Sequence, residues 1–246
     1  MDEPNSVNPL NQSIPSIAKE IPFDSRLHPV LGVDAHLPVV PPDKLEASYL
    51  RHLFKNVPRV PSALYGDYPQ NTPSADLNSV IQASVLFGIV NRPTPCVLLT
   101  QRSTKLRKHS GQISFAGGRV DEGDESDIHA ALREAQEEIG LDPGHVEVLG
   151  VMPKYLTGTG FIVTPVVGLI SPEMTLELNE HEVSDAFEVP LAFLMDPGNH
   201  RRHARELEGR TREWFSMPYR QGEVERFIWG ATAGMIRNMY HFLINN

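Results

Sequence analysis

The segment from residue 127 to residue 139 constrains the fold of this 246-residue chain most strongly, because its side chains sort by helical angle. At about 100° per residue, its apolar side chains fall within a stripe about 100° wide, which is typical of a helix packed on a sheet. Ser126 or Asp124 can cap the start, and Gly140 suits the position just past the end. The sequence therefore predicts an amphipathic helix over 127–139. Its apolar stripe consists of Ile128, Ala131, Leu132, Ala135 and Ile139.

Three acidic side chains crowd the C-terminal half of this predicted helix: Glu134, Glu137 and Glu138. They share one sector beside the apolar stripe, at the end where the helix dipole favours basic residues. Two interpretations follow. A solvated helix face tolerates the acids because glutamate is a good helix former, whereas a metal site would use them as ligands. Oxygen ligands without cysteine or histidine favour Mg²⁺ or Mn²⁺ and disfavour zinc.

A glycine pair, Gly117-Gly118, lies just upstream of the helix. It is either a plain turn or a place where the backbone approaches a phosphate group or a metal ion closely, since glycine has no side chain. Its position before the acidic helix favours the second interpretation. A divalent cation beside a glycine turn suggests phosphate chemistry.

Composition narrows the class of protein. The formal net charge of −9 argues against broad attraction to nucleic acid or to an anionic membrane. A single cysteine, Cys96, excludes an intramolecular disulfide and a cysteine-rich metal site. No apolar run reaches the length of a membrane span, and the N-terminus lacks the features of a secretory signal. The expected compartment is the cytoplasm.

The chain divides by composition into three parts. Residues 1–42 are rich in Pro, Asn and Ser without a sustained period, and are expected to form an extended or disordered tail. Residues 43–76 are expected to hold a helix and a proline-rich linker, and residues 77–246 a mixed α/β domain with helices on its sheet faces. The polar stretch 200–209 is expected to be a loop. The other predicted elements are strands at 83–90, 96–102, 112–116, 146–152 and 161–170, a strand passing into a short turn or helix at 184–194, a hairpin at 213–218 and 224–229, and a helix at 230–243.

The helix and its flanks resemble the Nudix hydrolases. Their box reads Gly, five residues, Glu, seven residues, then Arg-Glu-Xaa-Xaa-Glu-Glu-Xaa-Gly-Xaa. Glu125, the seven residues after it and the run from Arg133 to Leu141 match the second half without gaps. The first half departs, because six residues rather than five separate Gly118 from Glu125. The resemblance implies an α/β/α sandwich with a mixed sheet and hydrolysis of a nucleoside diphosphate linked to another group.

The upstream segment is similar to one subgroup, the coenzyme A pyrophosphatases. The residues that carry this similarity are Leu98–Ser103, Arg107 and Gly111–Gly118, with alanine at Ala116 where the subgroup usually has proline. Further similarity appears in Gly160–Gly168, in the segment from Glu182 to Leu191 and in Trp229–Ala233, so the resemblance spans about residues 43–246.

The resemblance implies roles for individual residues. Glu134 and Glu138 are the expected metal ligands, with Glu137 a third ligand or a group that orients water. The general base is either Glu134 or Glu182, which is otherwise a surface acid. Arg133 either pairs with the glutamates or is only an exposed helix residue. The expected contacts with substrate phosphates come from Arg102 and Arg107, whose alternative role is surface solubility, and from the backbone of Gly117 and Gly118.

The expected activity is therefore Mg²⁺- or Mn²⁺-dependent cleavage of coenzyme A or its thioesters to 3′,5′-ADP and 4′-phosphopantetheine products. One alternative is a Nudix enzyme for another dinucleotide, such as ADP-ribose or an NADH-type compound. Another is a binding module that has lost catalysis, although such a module is expected to lose box glutamates. The expected partner is a small molecule rather than nucleic acid or a membrane, and a homodimer is one option for the oligomeric state.

Overall fold

The computed structural model of the chain describes residues 24–57, 65–66, 80–106, 109–207 and 210–246. These residues form two β-sheets and several helices. The helices are α1 (Ala47–Asn56), α2 (Asp127–Ile139), α3 (Leu191–Leu194) and α4 (Gly230–Asn245). The strands are β1 (Gly32–Val33), β2 (Tyr65–Gly66), β3 (Ile81–Val90), β4 (Cys96–Arg102), β5 (Ile113–Ser114), β6 (Ala116–Arg119), β7 (Val146–Val151), β8 (Tyr155–Leu156), β9 (Phe161–Ile170), β10 (Val183–Pro190), β11 (Arg201–Leu207), β12 (Arg210–Gln221) and β13 (Val224–Trp229).

The larger sheet is mixed, as the resemblance implies. Its main path runs β10-β4-β3-β9-β8-β2, with β5 paired to β4, β6 to β3 and β7 to β9. Strands β3 and β9 run parallel along their whole length, whereas β4, β6 and β7 join them antiparallel. Because β6 pairs with β3, the glycines that end the predicted third strand lie at the sheet's centre rather than at its rim.

Side chains alternate across β3 and so build a core on each face of the larger sheet. Leu86 and Val90 pack in the cluster beneath α2, and Phe87 and Ile89 pack in the cluster that holds buried residues of α1 and α4. Both faces are therefore covered by helices. The architecture is the predicted α/β/α sandwich.

Helix α2 has the bounds that the sequence predicts. Ser126, rather than Asp124, caps its start, where its hydroxyl accepts a hydrogen bond from the His129 N–H at 3.1 Å. Gly140 ends the helix at φ 66°, a left-handed conformation that glycine adopts at low cost. The central apolar residues of the predicted stripe are buried, and Ile128 and Leu132 are partly buried against the same cluster. Amphipathic periodicity thus places α2 on the sheet.

The predicted loop over 200–209 is wrong, because residues 201–207 form β11 and pair with β12 in the smaller sheet. This sheet has the order β1-β11-β12-β13. The strand is polar, so it lacks the apolar alternation that identifies a strand in sequence. Its inward-facing His203 is nevertheless buried, stacks on Trp214 and bonds the Ser216 hydroxyl at 2.8 Å. The strand is therefore stabilised by pairing with β12 and by the contacts of His203, which the sequence pattern does not show.

From Asp24 onward, the chain is not the extended or disordered tail that the sequence predicts. Strand β1 pairs with β11, and the side chains of Asp34 and Val40 are buried. Asp34 accounts for this docking, since its carboxylate lies 2.8 Å from the buried Arg237 guanidinium of α4 and 3.0 Å from Arg202 of β11. The rest of the tail, residues 1–23, and most of the predicted linker lie outside the described residues. In the described part of the chain, no helix is both long and apolar enough to cross a membrane.

We predict that Asp34→Asn lowers the free energy of unfolding by about 3 kcal/mol, because it leaves the Arg237 guanidinium buried without a counter-charge. Urea unfolding measures the loss. The matched control is Glu147→Gln, which removes the exposed pair with Arg51 and should cost less than about 1 kcal/mol. Equal effects of the two substitutions would contradict the structural role of Asp34.

Candidate active site

The glycine pair on β6 lets two α2 carboxylates reach the strand backbone. The Gly117 N–H donates a hydrogen bond to the Glu138 carboxylate at 3.1 Å. At Gly118, a Cβ atom would lie 2.5 Å from the Glu134 carboxylate. Gly117 has φ 151°, and a Cβ there would lie 2.4 Å from the Ser84 carbonyl oxygen. A side chain at Gly118 would displace the Glu134 carboxylate, and one at Gly117 would meet β3, so the approach of α2 to β6 depends on Gly118 and the pairing of β6 with β3 depends on Gly117.

Glu138 is the most deeply buried acid of the cluster, with a side chain only 4% exposed. Burial raises its pKa to about 7, against the opposing effects of the Gly117 N–H and of Arg102. The Arg102 guanidinium lies 3.5 Å from the carboxylate, too far for a tight ion pair. The negative charges of Glu134 and Glu182 raise the pKa further. Near neutral pH this carboxylate therefore exchanges readily between its protonated and ionised forms.

Glu134 shares this electrostatic environment. Its side chain is largely buried, and burial raises its pKa, while Arg133 opposes the shift at a distance of 3.2 Å. Glu182 raises the pKa of Glu134 as it does that of Glu138. Glu182 directly precedes β10, whose first residue pairs with the last residue of β4. We call Glu134, Glu138 and Glu182 the acidic trio.

Glu137 is an exposed acid at the edge of the cluster, where it shares the Arg133 Nη1 donor with Glu134 and its charge also raises the pKa of Glu134. Its side chain is 59% exposed and binds the Arg133 guanidinium at 3.0 Å. Sequence reasoning grouped it with Glu138 because adjacent helix positions fall in one broad sector. In the described residues, no three His, Cys, Asp or Glu side chains already form a metal-binding group. The donors that do converge are carboxylate oxygens without a full complement of positive charge, which suits a hard divalent cation.

Arg133 organises the outer side of the site. Its Nε and Nη2 atoms donate to the two oxygens of Asp124, both at 2.9 Å, and Nη2 also donates to the Arg119 carbonyl at 3.1 Å. Its Nη1 atom reaches Glu134 and Glu137. These bonds hold the pKa of the buried Asp124 carboxyl well below its usual range. Arg133 therefore pairs with the acids rather than standing free on the helix surface.

Asp124 is the site residue that the sequence pattern did not assign. The box matched Glu125, but the structure exposes Glu125 and places Asp124 against Arg133. The spacing from Gly118 was the available signal, since five residues separate the glycine from Asp124 and six separate it from Glu125. The inserted residue thus changes which acid holds the arginine.

The structure describes only one of the two predicted phosphate-binding arginines. Arg102 ends β4 beside Glu138, and its buried Nε atom has no hydrogen-bond partner among the described residues. Arg107 lies outside the described residues. Glu182 belongs to the loop before β10, and the Ser103 N–H donates to its backbone carbonyl at 2.8 Å. The end of β4 and this loop therefore meet at the acidic trio.

The fold agrees with what sequence comparison finds. The model of the NUDIX domain matches residues 81–218, which is more than half of the chain. This chain belongs to the Nudix family. It is 50% identical over 161 residues to the uncharacterized Nudix hydrolase NudL of Escherichia coli K12, and equally so to NudL of Shigella boydii serotype 18. Each match covers 64% of this chain and 80% of the relative. The chain is accordingly a hydrolase of the Nudix diphosphatase type.

Solved structures show more distant similarity. A MutT/nudix family protein from Enterococcus faecalis is 16% identical, with a TM-score of 0.42 over 72% of this chain and 66% of that one. The Nudix domain of Shewanella oneidensis NrtR, solved with ADP ribose, is 22% identical, with a TM-score of 0.39 over 53% of this chain and 83% of that one. Similarity at this level says nothing about the substrate of this chain.

We predict that Glu138→Gln stabilises the protein at high pH. The folded-state pKa of about 7 exceeds the ordinary value of 4.5, so the cost of ionising Glu138 grows as the pH rises from 4.5 to 7 and is complete above 7. Glutamine removes that cost. The free energy of unfolding should rise by about 1–3 kcal/mol at pH 8 and hardly change at pH 5.

Thermal and urea unfolding at both pH values, without added divalent ions, measure this difference. The control is Glu137→Gln on the same helix turn, whose exposed carboxylate should give a change below about 1 kcal/mol. A stabilisation by Glu138→Gln that is the same at pH 5 and pH 8 would contradict the raised pKa.

We predict that alanine at the two glycines separates folding from catalysis. Gly118→Ala meets only the movable end of Glu134, so the fold should persist while a displaced carboxylate lowers kcat about 10–100-fold. Gly117→Ala meets backbone atoms of β3 at a strained φ and should cost about 1–3 kcal/mol of stability. Melting temperature and turnover of a dinucleotide substrate test both; the reverse pattern would contradict the assigned contacts.

Proposed function

We propose that the chain hydrolyses the diphosphate bond of coenzyme A or its thioesters, giving 3′,5′-ADP and 4′-phosphopantetheine or its acyl derivative. The similarity of Leu98–Ser103 and Gly111–Gly118 to the coenzyme A pyrophosphatases supports this substrate. The observation that carries the chemistry is the acidic trio beside the β6 backbone. The diphosphate carries two negative charges and the cluster is also negative, so the substrate can approach only when bound cations neutralise both.

Glu134 and Glu138 are the proposed ligands of Mg²⁺ or Mn²⁺. Their carboxylates converge at Gly117 and Gly118, and Arg102 gives Glu138 only a long contact. When bound, the metal supplies charge neutralisation of the diphosphate and lowers the pKa of a bound water. Glu137, which is exposed and bonded to Arg133, is a weaker candidate for a third ligand and is better suited to orienting water.

Glu182 is the proposed general base, because its loop is docked on the end of α2 and its negative charge acts on both proposed ligands from outside their helix. A base must reach the attacking water while it remains free to take a proton. Glu134 is the alternative base, but its carboxylate is already a proposed metal ligand and lies 3.2 Å from the Arg133 guanidinium. Arg133 is a proposed positioning residue: bound to Asp124 on one side, it fixes Glu134 on the other.

Arg102 and Arg107 are the proposed contacts with the 3′-phosphate or the diphosphate. Arg102 has donor capacity to spare, since its buried Nε has no partner among the described residues, and a guanidinium binds phosphate oxygens bidentately. The backbone at Gly117 and Gly118 is the proposed place of closest approach for phosphate. The proposed setting is the cytoplasm, with a homodimer as the proposed alternative to a monomer.

We predict that coenzyme A is cleaved at least tenfold more efficiently than 3′-dephospho-coenzyme A, ADP-ribose or NADH in the presence of Mg²⁺ or Mn²⁺, because Arg102 and Arg107 are the proposed contacts with the 3′-phosphate. Mass analysis of the products in ¹⁸O-labelled water identifies the bond broken and the phosphorus attacked. Glu138→Gln serves as the inactive control. Equal or better turnover of ADP-ribose or NADH would replace coenzyme A by that substrate class.

A further inference from the structure

The last turn of α2 is joined to the loop that carries Glu182. A helix leaves the carbonyl groups of its last turn without partners inside the helix. Here the Glu138 carbonyl accepts the Asn179 N–H and the Ile139 carbonyl accepts the Glu177 N–H, both at 2.9 Å. A Cβ atom at Gly140 would lie 2.8 Å from the Glu177 backbone. Residues 177–179 are therefore docked on the end of the catalytic helix.

Asn179 then connects this docking point to Glu182. Its carbonyl accepts the N–H groups of Glu182 and Val183 at 2.9 and 2.8 Å. Its side-chain oxygen accepts the His181 N–H at 3.2 Å. Because that donor fixes which end of the amide is oxygen, the Nδ2 group faces the Glu182 carboxylate, at 3.4 Å.

We propose that Asn179 is the positioning residue that holds the Glu182 carboxylate beside Glu138 and Glu134. This inference rests on the proposed function, in which Glu182 accepts the proton of the attacking water. The Glu182 side chain is repelled by the other two carboxylates, so it stays at the acidic trio only if something holds it there. An arginine would do so at the expense of the basicity that Glu182 needs. A neutral amide restrains the carboxylate and leaves its charge intact.

The test uses Asn179→Asp, which keeps the side-chain oxygen that accepts the His181 N–H and replaces the donor to Glu182 by an anionic oxygen that repels it. We expect kcat to fall about tenfold or more, since the substitution loses one hydrogen bond to a charged group and adds a like charge. KM should stay within about twofold and the melting temperature should hardly change. Kinetics use whichever dinucleotide the wild-type enzyme turns over, so a failure of the coenzyme A assignment does not affect this test.

The decisive comparison repeats Asn179→Asp in a Glu182→Gln background. If Asn179 acts through Glu182, the second substitution changes kcat less than about twofold there, because contacting residues do not add independently. The matched control is Asn199→Asp, which removes a similar amide donor to the Phe193 carbonyl away from the site and should leave kcat unchanged. The same tenfold loss in both backgrounds, or a loss confined to KM, would overturn the proposal.

A second readout does not depend on activity. The Asn179 side-chain amide signal in a ¹H–¹⁵N NMR spectrum of the full chain is identified by its disappearance in Asn179→Asp. Glu182→Gln should shift this signal, and an unshifted signal would overturn the contact. If Glu182→Gln leaves kcat unchanged, the base assignment fails, and the NMR signal alone then decides whether Asn179 holds Glu182.

Discussion

The close packing of α2 on the backbone of β6 is the constraint on which the site depends. Gly118 leaves room for the Glu134 carboxylate and the Gly117 N–H binds that of Glu138, so both carboxylates lie against main-chain atoms and are largely shielded from water. Burying charge is unfavourable unless it is paired. The raised pKa of Glu138 is the consequence of pairing that is incomplete. A helix that only had to pack on a sheet would have no reason to bury acids there.

Much of the fold follows from periodicity. The bounds of α2, β4 and β9 agree with the sequence because each carries its own local pattern, helical in the first and apolar in the other two. The segments that sequence reasoning missed are those whose stability comes from distant partners. Strand β11 is polar and exists because β12 pairs with it. The chain near Asp34 is docked by Arg237, an arginine of the C-terminal helix.

The site residues likewise divide into those that the local sequence pattern predicts and those that are placed by distant contacts. Helical angles place Glu134, Glu137 and Glu138 in one sector, but they could not show that Glu137 is exposed and Glu138 buried. Glu182 reaches the acidic trio from a loop whose path depends on hydrogen bonds to the end of α2. Asp124 rather than Glu125 binds Arg133 because of the path that the chain takes around the additional residue before the helix N-cap. Only the three-dimensional structure shows this path.

The acids that support the site and the acids proposed to act in it are held by different kinds of hydrogen-bond donor, as the proposed chemistry requires. Asp124 and Glu137, which support the site from outside, are held by the full positive charge of Arg133. Glu138 and Glu182 are held mainly by neutral N–H groups, from Gly117 and Asn179 respectively. Neutral donors orient a carboxylate without cancelling its charge, and the charge that remains is available to a proton or to a divalent cation. Because a proton and a divalent cation compete for the same carboxylates, a higher pH should favour binding of the cation.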